Sequence, residues 1–481
     1  IEPLLNSNDD TYAEPPVGLD EEVDRTNPIA YSHVYWTKKP YPAIQHFIEQ
    51  MTEEGDVVLD NMAGSGMTGV AALASNRKTI LADISPAATW IGKNNLTPVD
   101  LNELQNAFER VADDIEDEIQ DLYKADCPDC GNTGTLAYLR YSEVHTCKRC
   151  GTEINLDEAE QKPRTSKYYC PGCESEMNPN SQEPKDIVPV GAIYSCDTCG
   201  GRGNKKRDIL QSDLDLLEEI EDREIPYWYP ENDMLPNSRI NVDEGMSIPD
   251  LYTKRNLIAL STLRNSILEQ TEEGAIRNAL LFTFTAILPI TTRMVQDRDK
   301  NGILKGTYYI PPKNKEANVW NTFAYKFNRN VSSAKEHIAE ILDNDYNPET
   351  DARVYTADGR DMANIPDESI DYAFIDPPYG DTVPYSEVNY LWSTWLQEDE
   401  DFAREIVVSD SSEREDKDED KWEEEIREVF EEVYNKLKPG RWVTITFNNS
   451  DPTMWERFNK AIIDIAFTPY NGSLTIDIMK S

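Results

Sequence analysis

Residues 57–69 read Val57-Val58-Leu59-Asp60-Asn61-Met62-Ala63-Gly64-Ser65-Gly66-Met67-Thr68-Gly69. Short apolar β-formers run into an acid, a glycine-containing turn and a helix-compatible stretch. The pattern predicts a strand over Val57–Leu59, a turn over Asp60–Gly66 and a helix over Met67–Ala74. Thr79–Ala82 then reads as a second strand ending at Asp83, which completes a β-α-β unit. Gly64 and Gly66 let the backbone approach a ligand that a Cβ would block. Asp83 stands where an acid accepts hydrogen bonds from ribose hydroxyls. A Gly-x-Gly turn alone serves structure as readily as binding. Strand, turn, helix, strand and acid within about 30 residues point to a nucleotide-type ligand.

Outward from this unit, Pro42–Gln50 reads as a helix, and residues 100–124 as an acidic amphipathic helix. Residues 208–290 look mostly helical, with a break over Ile225–Pro230; the apolar run Ala279–Ile290 reads as a buried helix. Residues 352–355 and 371–375 look like two further buried strands. The second runs directly into Asp376-Pro377-Pro378-Tyr379. Two prolines remove donors and stiffen that corner. Asp376 and the Pro377 carbonyl can then act as fixed acceptors for a flat base bearing an exocyclic NH2, with Tyr379 stacking on its face. A plain proline-rich turn is the other reading. Arg441–Phe447 and Ile462–Ile478 alternate like strands, with a hairpin at Asn471-Gly472. The fold class is α/β, two halves of one sheet flanking a long insertion.

All eight cysteines fall in C-x-x-C pairs: Cys127/Cys130, Cys147/Cys150, Cys170/Cys173 and Cys196/Cys199. Two such knuckles close one tetrahedral Zn2+ site, so eight ligands make two structural four-cysteine sites with no open catalytic position. The expected pairing is sequential, Cys127/Cys130 with Cys147/Cys150 and Cys170/Cys173 with Cys196/Cys199; a crossed pairing is the alternative. Disulfides or a redox pair suit a cytoplasmic chain poorly.

The 481 residues hold 90 acidic and 47 basic side chains, a net charge of −43. A content of 24 Tyr, 12 Phe and 9 Trp argues against an acidic disordered chain. Adaptation to high salt accounts for the charge, and the short Debye length there, about 3 Å at 1 M, removes the global veto on a nucleic-acid partner. Residues 398–425, densely acidic, read as a solvated surface loop or helix. No apolar run approaches the roughly 18 residues that span a bilayer. The acidic N-terminus, unlike a secretory signal, suggests a cytoplasmic protein. Between Pro289 and Asn330 the balance inverts. Arg293, Arg298, Lys300, Lys305, Lys313, Lys315, Lys326 and Arg329 face only Asp297, Asp299 and Glu316, interleaved with Tyr308, Tyr309, Trp320 and Phe323. Cations for phosphates beside aromatics for unstacked bases are what a DNA groove needs; core aromatics with ordinary surface charge would look similar.

The chain resembles the S-adenosylmethionine-dependent amino-methyltransferases of DNA, with a first motif at Asp60–Gly66 and a D-P-P-Y motif at Asp376–Tyr379. Ser32–Pro40 looks like the cofactor-side motif of that family, and Ala357-Asp358-Gly359-Arg360-Asp361 like its third motif. A narrower likeness is to zinc-containing adenine-specific DNA methylases classed as a domain of unknown function. It rests on Tyr379–Tyr385, Lys254–Leu257 and Gly306–Pro311. Met62 and Asn61 depart from the usual phenylalanine and proline of the first motif; a methionine can still pack against the cofactor.

The resemblance implies a Rossmann-like class I methyltransferase sheet with a long zinc-ribbon and helical insertion. It divides the chain into an acidic arm (1–30), a cofactor half (31–124), a double zinc ribbon (125–205), a helical target-recognition region (206–350) and a catalytic half (351–481). It implies S-adenosylmethionine held by Lys39, Asp60, Met62, Ala63, Gly64, Ser65, Gly66, Thr68, Asp83 and Asp358. Catalysis falls to Asp376, Pro377, Pro378 and Tyr379. The substrate implied is DNA with the target base flipped out, methylated at adenine N6 or, by the same chemistry, cytosine N4. Carbon-5 cytosine methylation would need a free thiolate, and every cysteine is committed to a knuckle. A non-catalytic zinc-ribbon subunit, with defence or restriction-modification partners, is the reading from another class.

Overall fold

The computed structural model describes residues 27–199, 204–297, 302–342, 346–411, 414, 416–465 and 467, with the backbone of Glu22–Val23 and Asp477–Ile478. Helix α1 (Tyr41–Met51) precedes β1 (Val57–Asp60), α2 (Met67–Ala74), β2 (Lys78–Asp83), α3 (Pro86–Asn95) and α4 (Leu101–Asp121). Pro42 sits in the first turn of α1, where no intrahelical donor is needed. Ser85 caps α3, and Asp100 caps α4 by accepting from the Asn102 and Glu103 amides. The insertion contributes β3 (Thr133–Thr146), β4 (Asp186–Ser195), β5 (Lys205–Arg207), α5 (Gln211–Glu221), α6 (Lys254–Gln270), α7 (Ala275–Ile287), β6 (Lys313–Ala317), α8 (Val319–Lys326) and α9 (Ser332–Ile341). The chain closes with β7 (Ala352–Thr356), β8 (Ile370–Ile375), α10 (Tyr385–Leu396), α11 (Glu419–Lys436), β9 (Leu437–Ile445) and α12 (Pro452–Ile463).

The central sheet has the order β7-β2-β1-β8-β9, and every pair is parallel. Side chains alternate across it. Val58, Leu81, Tyr372 and Phe374 join α1, α2 and α9 on one face, while Val57, Leu59, Ile80, Ala373 and Ile375 join α11 and α12 on the other. Burial on both faces explains why β1 up to Asp60 and β8 after Asp371 read as apolar runs. From β1 the strand order proceeds one way to β2 and β7 and the other way to β8 and β9. In such a sheet the ligand crevice lies outside the carboxyl ends at this switch. Asp60 ends β1, and Asp376 follows the last residue of β8.

A third core joins the insertion sheet to the helices. Leu136, Leu139 and Tyr194 pack with Phe108, Leu260, Phe282 and Phe284, and Trp392 of α10 ties this layer to the catalytic half. Among the described residues no helix is long and apolar enough to cross a membrane.

Four expectations are corrected. First, Ile462 and Ile463, the first two residues of the Ile462–Ile478 stretch expected as strand, lie in the last turn of α12. Asp451 caps it, Pro452 opens it, and Met454, Phe458 and Ala461 bury at helical spacing. The Asn471-Gly472 hairpin lies outside the described residues. Second, no α-helix lies between Glu221 and Lys254, so the break is far longer than Ile225–Pro230. Third, β6 arises from polar residues because it pairs antiparallel with β3, and its Glu316 is neutralised by buried Arg255 at 2.8 Å.

Fourth, residues 398–425 are not merely solvated surface. Glu400, Glu405, Ile406, Val407, Arg414, Lys417, Trp422 and Glu425 are buried. Arg414 binds Glu387 at 3.0 Å and Glu405 at 2.8 Å; Lys417 and Arg360 hold Glu425 at 2.8 and 2.6 Å. Three cations fold the acids inward, a pairing that a count of charges conceals.

Candidate active site and cysteine clusters

One cavity opens at the carboxyl ends of β1, β2 and β8. Its wall includes Lys39, Asp60, Met62, Ala63, Gly64, Ser65, Thr68, Asp83, Asp358, Asp376 and Pro378, so the structure brings most of the expected site residues together. Asp60 is fully buried; its carboxylate accepts from the Met62 amide at 3.0 Å and the Thr68 hydroxyl at 2.6 Å. Burial pushes it up to about 7, against those two donors. Asp83 accepts from the Gly64 amide at 2.8 Å and the Ser85 amide at 2.9 Å, and burial pushes it up to about 6. Gly64 has φ +50°, and a Cβ there would lie 3.1 Å from the Tyr35 ring. Asp358 also accepts from Arg360 through both oxygens, at 2.9 and 2.7 Å.

Gly66, Pro377 and Tyr379 are not in the wall. Gly66 caps α2 at φ +77°, and a Cβ would come within 2.7 Å of the Gly92 Cα. Its missing side chain serves helix-to-helix packing rather than ligand approach. Tyr379 turns its hydroxyl to Asp376.

Asp376 is held on three sides. Its Oδ1 accepts from the Tyr379 and Thr446 hydroxyls, both at 2.6 Å, and its Oδ2 pairs with the Lys39 ammonium. Lys39 also donates to the Tyr379 hydroxyl at 3.1 Å. Asn449 donates to the Tyr379 carbonyl at 2.7 Å, and Gly380 turns the chain at φ +79°. Burial and the neighbouring Asp376 charge raise the Tyr379 phenol, which keeps it a proton donor to that carboxylate. Oδ1 is thus fixed, while Oδ2 holds a cation that shares the cavity.

Sequence reasoning missed several wall residues: Tyr35, Thr37, Asn61, Phe374, Tyr385, Arg404, Glu405 and Ile406. Tyr35 and Thr37 lie inside the Ser32–Pro40 stretch, where the aromatic was the available signal. Arg404 and Glu405 were hidden in the acidic run. Asn61 donates to the Gly359 carbonyl at 2.8 Å, and its buried Oδ1 has no protein partner, an acceptor left for a ligand. The wall carries five carboxylates (Asp60, Asp83, Asp358, Asp376, Glu405) against Lys39 and Arg404. Such a wall, with a glycine cradle and an orphan acceptor, fits a ligand with an amide-like or hydroxyl donor and a positive charge, as S-adenosylmethionine has.

The cysteines form two clusters, but nested ones. Cys127 and Cys130 meet Cys196 and Cys199, and Cys147 and Cys150 meet Cys170 and Cys173. The sequential pairing is overturned by strand geometry. β3 and β4 run antiparallel with Thr135 opposite Ser195, so residues just before β3 meet residues just after β4. The other cluster gathers at the far end of β3. Sulfur separations are 3.4 and 3.7 Å in the first cluster and 3.8 and 3.5 Å in the second. A tetrahedron with Zn–S of about 2.3 Å has edges of about 3.8 Å, whereas a disulfide needs about 2.05 Å. Both clusters could therefore bind zinc. A hydrogen bond with the Ser175 hydroxyl and the Cys150 and Arg149 amides pull Cys147 down to about 6, which favours the thiolate a metal takes.

Three of the four aromatics named in the basic segment, Tyr308, Trp320 and Phe323, are core, whereas Tyr309 is half-buried. Trp320 and Phe323 are buried with ring centroids 5.8 and 5.9 Å from Phe108, and buried Tyr308 donates to the Glu387 carbonyl at 2.9 Å. Lys315 is buried and faces Asp297 at 3.5 Å. Arg298, Asp299 and Lys300 lie outside the described residues. For Tyr308, Trp320 and Phe323 the interleaving therefore reflects packing in the core.

Residues 10–93 match the N6_N4 methyltransferase family model, described as DNA methylase. The matched stretch carries Lys39, the glycine turn and Asp83, and ends before the Asp376 corner. No curated protein and no solved structure matches the chain. The family match supports a DNA methyltransferase acting at adenine N6 or cytosine N4, with DNA as substrate and S-adenosylmethionine as methyl donor.

Proposed function

We propose, from the DNA-methylase match and the shared cavity, that the chain methylates the N6 amino group of adenine in DNA. The observation that carries this reading is that Asp376, at the end of β8, and the glycine turn after β1 line one cavity. S-adenosylmethionine supplies, when bound, a methyl carbon made electrophilic by its sulfonium. Asp83 would accept from its ribose hydroxyls, Asn61 Oδ1 and Asp358 would offer acceptors to its adenine, and Met62 would pack against it. The wall carboxylates favour the donor's positive charge.

At the corner, Tyr379 and Thr446 fix one oxygen of Asp376, so the other keeps its direction when Lys39 leaves it. The target amine takes the place of the Lys39 ammonium. Asp376 Oδ2 accepts from it and aims its lone pair, a role for which the Pro377 carbonyl, outside the cavity wall, is not needed. As the N–C bond forms and the thioether leaves, the Asp376 carboxylate stabilises the new positive charge, and the surplus N–H proton passes along its hydrogen bond to Asp376 Oδ2 and then to water. Positioning supplies the rest of the rate.

The test is methyl transfer to duplex DNA, followed by digestion and mass spectrometry of the nucleosides. N6-methyladenine is expected. N4-methylcytosine alone would overturn the base assignment. Absence of both in protein that binds S-adenosylmethionine would overturn the reading.

A further inference from the structure

Beside the cavity lies a cluster of cations with no carboxylate paired to them among the described residues. Thr37 and Lys39 line the cavity, but Lys38 between them turns away and donates to the Ile29 carbonyl at 2.7 Å. Lys326, in the last turn of α8, donates to the Tyr31 carbonyl at 3.0 Å. The two acceptors are two residues apart on one short helix, Pro28–Ser32, which brings two ammonium groups side by side. Among the described residues neither is in an ion pair, in a chain with 90 acidic side chains against 47 basic. Arg414, Arg255 and Arg360 are met by carboxylates, and buried Lys335 rests on the Asn94 and Thr97 carbonyls, but Lys38 and Lys326 differ in standing side by side. Here burial, then Lys326 and Lys305, pulls Lys38 down to about 7, and burial pulls Lys326 down to about 8. Two neighbouring charges kept without a counter-charge cost free energy that a bound anion would return.

A second feature coincides. Tyr31 is 52% exposed, Tyr325 66% and Leu304 51%, and each adjoins this cluster: Tyr31 through its carbonyl, Tyr325 next to Lys326, Leu304 next to Lys305. Exposed aromatics beside unpaired cations are the makings of a surface for a sugar-phosphate backbone with unstacked bases.

We propose that Lys38, Lys326 and Lys305, with Tyr31 and Tyr325, form the docking site for the DNA strand that delivers its nucleotide to the cavity. This rests on the proposed function, and it relocates the contact from the aromatics that proved to be core. The extended segment alternates its duties. Lys39 faces the reacting carboxylate, and Lys38, one residue earlier, holds a neighbouring phosphate on the outer side. Tyr31 and Tyr325 stack on bases left without partners.

The test is binding of a fluorescent DNA duplex to the full chain without S-adenosylmethionine, across a salt series. Each phosphate contact adds about 0.9 to the slope of log affinity against log salt, so Lys38→Gln with Lys326→Gln should lower the slope by about 1.8. With affinities converging near 1 M salt, that is a loss of roughly 60-fold at 0.1 M. Lys38→Arg with Lys326→Arg should restore the slope, and Tyr325→Ala should weaken binding without changing it. Affinity for S-adenosylmethionine and the thermal melt report whether the variants remain folded, and the arginine pair keeps the test open if the glutamine pair does not. An unchanged slope in the folded glutamine pair overturns the proposal, even in an enzyme that methylates DNA. A steep wild-type slope that falls in the variant supports it, even if no methyl group is transferred, in which case the proposed function alone fails.

Discussion

Replacing Asp376 by Asn isolates charge from shape at the proposed reacting corner. The amide can keep one oxygen for the Tyr379 and Thr446 hydroxyls, each now 2.6 Å from Oδ1. It then places an NH2 where Oδ2 stood, facing Lys39 and, in the working complex, the amine of the base. A donor meets a donor, and the anion that would answer the developing positive charge is gone. A hydrogen bond to a charged group contributes about 1.5–3 kcal/mol, and removing one preorganised partner of a developing charge costs about 2.7–4 kcal/mol. Asp376→Asn should therefore lower the single-turnover rate by roughly 10^2–10^3-fold at saturating DNA. Asp83 and the glycine turn are untouched, so affinity for S-adenosylmethionine should fall by less than about tenfold, the loss of one charge near a cation in a half-open site. Rapid-quench transfer of a labelled methyl group and calorimetric titration of the cofactor separate the two effects. A single-turnover rate within about fivefold of the wild type would refute the role given to the carboxylate.

The nested cysteine pairing predicts that Cys127→Ser with Cys196→Ser abolishes one zinc and spares the other, whereas a sequential pairing would lose both; metal analysis of the purified variant decides. Gly66→Ala should cost about 2–5 kcal/mol in urea unfolding, the sum of a left-handed backbone and a Cβ pressed on Gly92; unchanged stability would remove Gly66 from the helix contact. Asp83 and Asp60 titrate near 6 and 7, above the ordinary 3.8, so across that window the folded chain holds protons that the unfolded chain has lost, and these two groups make stability fall as pH rises. Cation binding runs the other way: affinity for S-adenosylmethionine should strengthen as the pH rises through the range in which Asp83 and Asp60 lose their protons, and Asp83→Asn should flatten the profile seen by calorimetry.

The parts of the fold visible in the sequence are those whose cause is local. β1, α2 and β2 follow from apolar runs, a glycine turn and helical spacing, and α2 begins and ends where Met67 and Ala74 had placed it. The Asp376 corner was visible because prolines and an apolar strand adjoin it. What depended on distant partners was not. Arg414 reaches Glu387, 27 positions away, and this contact turns an acidic run into a wall of the cavity. A C-x-x-C spacing fixes two ligands of one knuckle, but the choice of partner knuckle belongs to the antiparallel register of β3 and β4. The misread basic segment has the same origin. Trp320 and Phe323 look like stacking platforms until Phe108, from α4, covers them.

The two halves of the site meet although the whole insertion lies between them. The Val57 amide donates to the Asp371 carboxylate at 2.9 Å across 314 positions of chain. Closing so long a connection costs little more than closing a short one, because the entropy grows only with the logarithm of its length. The insertion shares its core with α3, α4 and α10, which flank the central sheet. One of the couplings between them runs through α10. Trp392 of α10 packs in the insertion core, while Tyr385, at the start of the same helix, lines the cavity and bonds Thr37 at 2.8 Å. One helix thus joins the cysteine-bearing layer to the reacting corner. A change in how the insertion packs on Trp392 has a direct mechanical route to Thr37, Lys38 and Lys39, the three consecutive residues that line the cavity, bond the Ile29 carbonyl and hold Asp376.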